Sequence, residues 1–275
     1  MRLCGLIVCA FVALGGAAGA RPIQPDDVFR IVSAGDPAFS PDGKRLVFIE
    51  PHVDRAADRV WGEIEIVDIA SGAKRALTAK RRGLGQPRFS PDGGVLTFIA
   101  DDARHQGQVF ALPLDGGDAR ALTATHAGVQ QYAWRPDGSA LAYVTQDDDP
   151  QKKAIADHRD LFDIGDDDYR IAGATPPSHL WLVNADGEHA HRLTSGSWSL
   201  ASAYPPSAPA SPLAWSPDGK SLLFTRVPNT HDGDAYESQI MRLDLATSKL
   251  TAQTSHTMFE GYASFARRHA DRVSV

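Results

Sequence analysis

One five-residue turn recurs four times along this chain, and it constrains the fold more than anything else in the sequence. Phe39-Ser40-Pro41-Asp42-Gly43 leads into Leu46-Val47-Phe48, and Phe89-Ser90-Pro91-Asp92-Gly93 leads into Leu96-Thr97-Phe98. Trp134-Arg135-Pro136-Asp137-Gly138 leads into Leu141-Ala142-Tyr143, and Trp215-Ser216-Pro217-Asp218-Gly219 leads into Leu222-Leu223-Phe224. The turn aspartates are 50, 45 and 81 residues apart. Proline fixes φ at the second turn position, aspartate accepts bonds from nearby amides, and glycine takes the positive φ that the turn requires. An aromatic before the turn and apolar alternation after it describe two antiparallel strands.

A second pair of strands follows each hairpin. Glu63–Ile69, Gln108–Leu112, His179–Val183 and Gln239–Leu243 each run to a polar turn. The partners are Arg75-Ala76-Leu77-Thr78, Arg120-Ala121-Leu122-Thr123, Arg192-Leu193-Thr194 and Lys249-Leu250-Thr251. Four short strands in about 45–50 residues make one β-propeller blade. The expected fold is therefore all-β: four complete blades over residues 21–265 plus the start of a fifth, an incomplete ring. An insertion at about 147–177, with a helical stretch at Lys152–Leu161, separates the second and third strands of the third blade. A polar loop, Ser199–Pro212, precedes the fourth hairpin.

Residues 1–20 read as a secretory signal peptide, with Arg2 ahead of an apolar run and Ala18-Gly19-Ala20 as the cleavage site, between Ala20 and Arg21. The apolar run is shorter than the roughly 20 residues a bilayer span needs. Both cysteines, Cys4 and Cys9, lie in this leader. The mature chain is thus expected to be secreted and periplasmic, without disulfide, thiol nucleophile or membrane anchor. With 28 basic and 34 acidic side chains the chain carries net charge −6, and no run is basic enough to grip nucleic acid. Three features are weighed as ligand sites. Asp147–Asp149 and Asp166–Asp168 lack the alternating spacing of a Ca²⁺ loop. His189 and His191 have no third ligand nearby in sequence. Trp198, outside every repeat, is expected to line a loop or pocket. No cofactor or metal site is assigned.

The Ser-Pro-Asp-Gly blades behind a leader resemble two groups, the periplasmic TolB propeller and the N-terminal propeller of prolyl oligopeptidase-family serine peptidases, especially the dipeptidyl- and acylaminoacyl-peptidase-like members. Lys152-Lys153-Ala154-Ile155, Gly165-Asp166-Asp167-Asp168-Tyr169 and Pro177–Val183 resemble the peptidase group's third-blade insertion. That resemblance implies a peptide substrate for the full-length parent and a C-terminal α/β-hydrolase domain with a Gly-x-Ser-x-Gly elbow. No such motif occurs in this sequence, so no catalytic residue carries over and the chain itself is expected to be inert. The alternative is a stand-alone periplasmic scaffold that binds protein. A fifth Ser-Pro-Asp-Gly turn is due about 49 residues after Asp218, where Phe259–Phe265 leads instead into Ala266–Val275. One permitted codon string for that tail, read one base along, spells Pro-Asp-Gly-Thr-Arg-Ile-Ala-Tyr-Arg. Residues 266–275 are accordingly read as a frameshifted tail.

Overall fold

The computed structural model describes residues 21–31, 33–159, 176–200, 212–230, 237–255, 261–266 and 269–274. The signal peptide, Asp166–Asp168 and most of both long loops lie outside these. A short 3-10 helix, Pro25–Arg30, stands in a separate N-terminal unit that ends at Val32. Its Asp27 carboxylate accepts bonds from the Gln24 amide at 2.8 Å and from Arg21.

From Ser33 onward every described strand pairs antiparallel. Blade 1 is β1–β4 (Gly35–Phe39, Arg45–Asp54, Arg59–Asp68, Lys74–Ala76), and blade 2 is β5–β8 (Gly85–Phe89, Val95–Asp101, Gly107–Pro113, Arg120–Ala121). Blade 3 is β9–β12 (Val129–Trp134, Ala140–Gln146, Ser178–Asn184, His191–Arg192). Blade 4 is β13 (Ser199–Leu200) and β14 (Ala214–Trp215), both paired to β15 (Ser221–Val227), followed by β16 (Gln239–Asp244) and β17 (Leu250–Ala252). A hairpin of β18 (Ser264–Ala266) and β19 (His269–Ser274) begins the next sheet.

Each inner sheet is buried on both faces, which explains why its strands read as nearly continuous apolar runs. Leu96, Phe98 and Ala100 of β6 pack with Val47, Ile49, Ile64 and Ile66 of blade 1. Ile99, one residue out of phase, joins Leu141, Tyr143 and Val183 of blade 3. Ala142 and Val144 then meet Leu222 and Phe224 of blade 4, and Leu223 meets Phe265 of the last hairpin. The two-residue period of a strand thus serves two interfaces at once. Blade 1 packs its apolar face on blade 2; on the other side Phe39 is 65% exposed, whereas its counterparts Phe89, Trp134 and Trp215 are partly buried.

Four expectations need correction. The loop written as Ser199–Pro212 does not precede the first strand of blade 4 but splits it: Leu200 pairs with Arg226 and Trp215 with Leu222, as Val129 pairs with Thr145 and Trp134 with Leu141 in blade 3. Backbone pairing resumes on either side of the insert because strand bonds need only the main chain. Second, Lys249-Leu250-Thr251 is three residues out of phase with the Arg-Ala-Leu-Thr segments. Gln253 donates to the Ile240 carbonyl (2.8 Å) as Leu77 does to Ile64, so the matching quartet is Thr251–Thr254. Third, the helix is Lys152–Ala156 and ends at Asp157. Fourth, the sheet does not stop at 265: Phe265 pairs with Val273, whose side chain packs on the Leu223–Phe265 cluster.

Candidate functional site

The repeated turns are the joints of the stack. In blades 1, 2 and 4 the turn serine hydroxyl donates to the aspartate, 2.5–2.6 Å away, and accepts the amide five residues on at 2.9 Å. In blade 3, where Arg135 replaces that serine, Asp137 accepts from the Ser139 hydroxyl at 2.6 Å. These hydroxyl bonds, seconded by a backbone amide, hold Asp42, Asp92, Asp137 and Asp218 below the usual carboxylate range. Gly43, Gly93, Gly138 and Gly219 have φ of 69°, 75°, 74° and 68°, the left-handed region that favours glycine. Pro41, Pro91, Pro136 and Pro217 complete turns that face the neighbouring blade. The Arg45 guanidinium stacks on Phe89 (5.6 Å) and donates to the Gly93 carbonyl (3.1 Å). Arg135 does the same to Trp215 (5.9 Å) and Gly219 (3.0 Å). Trp134 Nε1 donates to Thr97 and Trp215 Nε1 to the Ala133 carbonyl, each in the preceding blade. The turn residues are structural.

The first strands of blades 1, 2 and 3, along the inner edge, are each bulged. The register slips between Gly35 and Ala38, between Gly85 and Arg88, and opposite Val144/Thr145. Asp36 and Gln86 adopt φ of 48° and 50° in these bulges, a conformation costly for residues with a Cβ. What holds them is a polar ladder across four blades. The Gln86 amide donates to Asp36 (3.0 Å), and its side chain donates to the Gln130 carbonyl (2.9 Å). Gln130 donates to Ser178 Oγ (2.9 Å), and the Ser178 amide donates to Ser199 Oγ (2.9 Å).

Beside this ladder opens a cleft of about 530 Å³, walled by Gln86, Arg88, Gln131, Tyr132, Trp134 and Leu213 among others. Tyr132 donates its hydroxyl to the Gln86 carbonyl at 2.6 Å, and burial raises its phenol pKa far above the ordinary value, so it stays neutral. This cleft was not legible in the sequence. Its walls come from three blades, and no local motif marks bulge residues such as Gln86.

A second cluster sits where the blade 3 insertion leaves the sheet. Asp147 donates its amide to the Pro177 carbonyl (2.8 Å), closing the neck. Its carboxylate pairs with Arg192 at 2.9 Å and lies 3.8 Å from His179 Nε2. His179 is fully buried, bonded through Nδ1 to the Thr194 hydroxyl and through Nε2 to the Gly196 carbonyl, both at 3.2 Å. Burial first, then Arg192, lowers its pKa. Gln108 makes the same clamp in blade 2, to Thr123 Oγ1 and the Thr125 carbonyl. His179 is therefore a blade-closing residue. Trp198, expected at a loop or pocket wall, instead stacks on Phe224 (5.9 Å) and meets His179 edge-on (4.9 Å), because the blade 3–4 core covers it. Asp148 lies against His126 and Asp149 caps the Gln151 amide. His191 Nδ1 bonds the His189 carbonyl. Among the described residues no three His, Cys, Asp or Glu side chains converge as a metal site would need.

Residues 29–162 match the TolB beta propeller domain family. That match takes in the first two blades and part of the third, which are of the TolB propeller type. Its fold is shared with TolB from Acinetobacter baumannii (TM-score 0.56, 16% identity, 84% of this chain and 45% of that one). It is shared equally with the Pyrococcus horikoshii acylaminoacyl peptidase (0.56, 13% identity, 83% and 33%). A puromycin-hydrolyzing peptidase of Mycobacterium tuberculosis gives 0.59 at 14% identity, over 88% and 37%. In sequence, 90 residues are 32% identical to the uncharacterized peptidase YuxL of Bacillus subtilis strain 168, spanning 33% of this chain and 14% of that protein. The chain thus covers a small part of its curated relative, and these blades are related to peptidase propellers as well as to TolB.

Proposed function

We propose that this chain is the propeller portion of a secreted serine peptidase of the prolyl-oligopeptidase kind, inert alone, which admits short peptides to a hydrolase domain. The observation that carries this is the 32% identity over 90 residues with a curated peptidase. The blades supply a channel wall and the hydrolase domain would supply nucleophile, base and oxyanion hole. Sequencing the gene from codon 255 onward tests it. The expected result is a one- or two-base correction that restores Pro-Asp-Gly and continues to a Gly-x-Ser-x-Gly elbow. The extended product should then hydrolyse dipeptidyl or acylaminoacyl p-nitroanilides, while the present chain releases no chromophore. An open frame without an elbow, or hydrolysis by the present chain, refutes the reading. N-terminal sequencing of periplasmic product should begin at Arg21; a retained Met1 would remove the secretion half of the proposal.

A stand-alone scaffold is the second reading, favoured by the equal structural likeness to TolB. A monodisperse product with a single cooperative melt, and no hydrolase frame downstream, would support it.

A further inference from the structure

We propose that the inner-edge cleft is a binding site for the free C-terminal carboxylate of a short peptide, with Arg88 holding the carboxylate and Gln131 the adjoining peptide amide. The peptide rests on the reading just given; the carboxylate rests on the cleft. In a chain with six more acidic than basic side chains, no Asp or Glu among the described residues lines this cleft, and the one ionised group among its described lining residues is Arg88. Arg88 is exposed, and its guanidinium makes no hydrogen bond or ion pair with the described residues. Four other arginines of the blades are engaged: Arg45 and Arg135 clamp turn carbonyls, Arg120 bonds the Ala185 carbonyl and Arg192 pairs with Asp147. A guanidinium left over in a concave, acid-free site matches the planar, two-oxygen geometry of a carboxylate.

Gln131 makes the second, independent point. It is only 9% exposed, yet its side-chain amide bonds none of the described residues. The amide atoms are not sealed from solvent, and they can donate and accept at once, as a peptide group requires. Its neighbours in sequence are used differently: Gln130 bonds Ser178, and Tyr132 bonds the Gln86 carbonyl. Trp134, Phe89 and Leu213 supply an apolar wall suited to a terminal aromatic or aliphatic side chain. The ladder fixes the bulges that present these groups, so the site is formed before any ligand arrives.

The test is direct binding to the full chain, with no hydrolysis involved. The probes are N-acetyl-alanyl-phenylalanine and its C-terminal amide, followed by isothermal titration. The acid should bind at least about tenfold tighter than the amide, a preference that rests on one charge-assisted contact. Arg88→Met should erase that preference, Arg88→Lys should restore part of it, and Gln131→Leu should weaken both probes alike. Arg88 is exposed, so its variants should melt with the parent and any loss is not unfolding. Equal binding of acid and amide, or a preference that survives Arg88→Met, overturns the site. A peptidase frame found downstream without this preference would fail the site and leave the function standing; the preference without such a frame would do the reverse.

Discussion

Replacing Gly219 and Gly43 with alanine, one at a time, separates the two jobs that a blade turn does. Both glycines occupy the same place in the repeat and have nearly the same φ, 68° and 69°. An alanine forced into that region costs about 1–2 kcal/mol at either position. Their surroundings differ. A Cβ at Gly43 would meet nothing within 4 Å, whereas at Gly219 it would lie 2.9 Å from Arg135 Nε. Arg135 would then have to leave the Gly219 carbonyl and the Trp215 face. Its side chain is 32% exposed, so the lost bond is worth about 1 kcal/mol and the ring contact about 0.5 kcal/mol more. Gly43→Ala should cost about 1–2 kcal/mol and Gly219→Ala about 3 kcal/mol.

Blades can unfold in sequence, so the comparison is best closed within one interface. Arg135→Ala alone should cost about 1.5 kcal/mol, the sum of the two contacts above. In that background Gly219→Ala should cost only its backbone share, leaving a coupling of about 1.5 kcal/mol. Urea unfolding followed by the fluorescence of the five tryptophans, Trp215 among them, reads the free energies. If the two substitutions simply add, to within about 0.5 kcal/mol, the turn is not clamped by its neighbour and the joint described above is wrong.

Other expectations follow from the buried polar groups. His179→Gln should keep stability to within about 1 kcal/mol, since Gln108 makes the same clamp in blade 2; His179→Ala should cost about 2–4 kcal/mol through lost bonds and a cavity, read by thermal melting. The folded His179 pKa lies below its ordinary 6.5, so the unfolded chain takes up a proton first as pH falls. Stability should therefore decline as pH drops through about 6.5 toward the folded value, and a Tm series from pH 8 to 5 should show a shallower slope in His179→Gln. The turn aspartates have folded pKa values below 3.8. Their contribution is present above that pH and is lost as pH falls through the folded values, so Asp92→Asn should flatten the acid limb of a Tm series continued from pH 5 to pH 2; an unchanged limb would show that the carboxylate is not what the turn needs.

How much of this was legible in the sequence depended on whether the physics was local. The turns were legible because Pro41-Asp42-Gly43 and its repeats carry their conformation in three adjacent residues. Burial on both strand faces was not: apolar alternation points to one buried face, and the second is covered only because Ile99 packs toward blade 3 while Leu96 and Phe98 pack toward blade 1. The fourth strand of blade 4 was misphased because Gln253 stands where Leu77, Leu122 and Leu193 stand, so the apolar mark was gone while its amide bond to Ile240 remained. The clamp at the start of the third strand in blades 2 and 3 was missed for the same reason: Gln108 and His179 differ in type and agree only in what they bond. The cleft was hidden more deeply. Gln86 takes a left-handed conformation without being glycine, and it is held there from outside, by Asp36 in the blade before and Gln130 in the blade after. A residue whose geometry is imposed by two neighbouring blades leaves no local trace in the sequence. Arg88 and Gln131 belong to that non-local layer, two residues after the bulge at Gln86 and one after the bulge at Gln130, on strands that only blade packing brings to the same opening. The repeat therefore specifies the scaffold, and departures from it at the inner edge are where a ligand-specific function has room to be written.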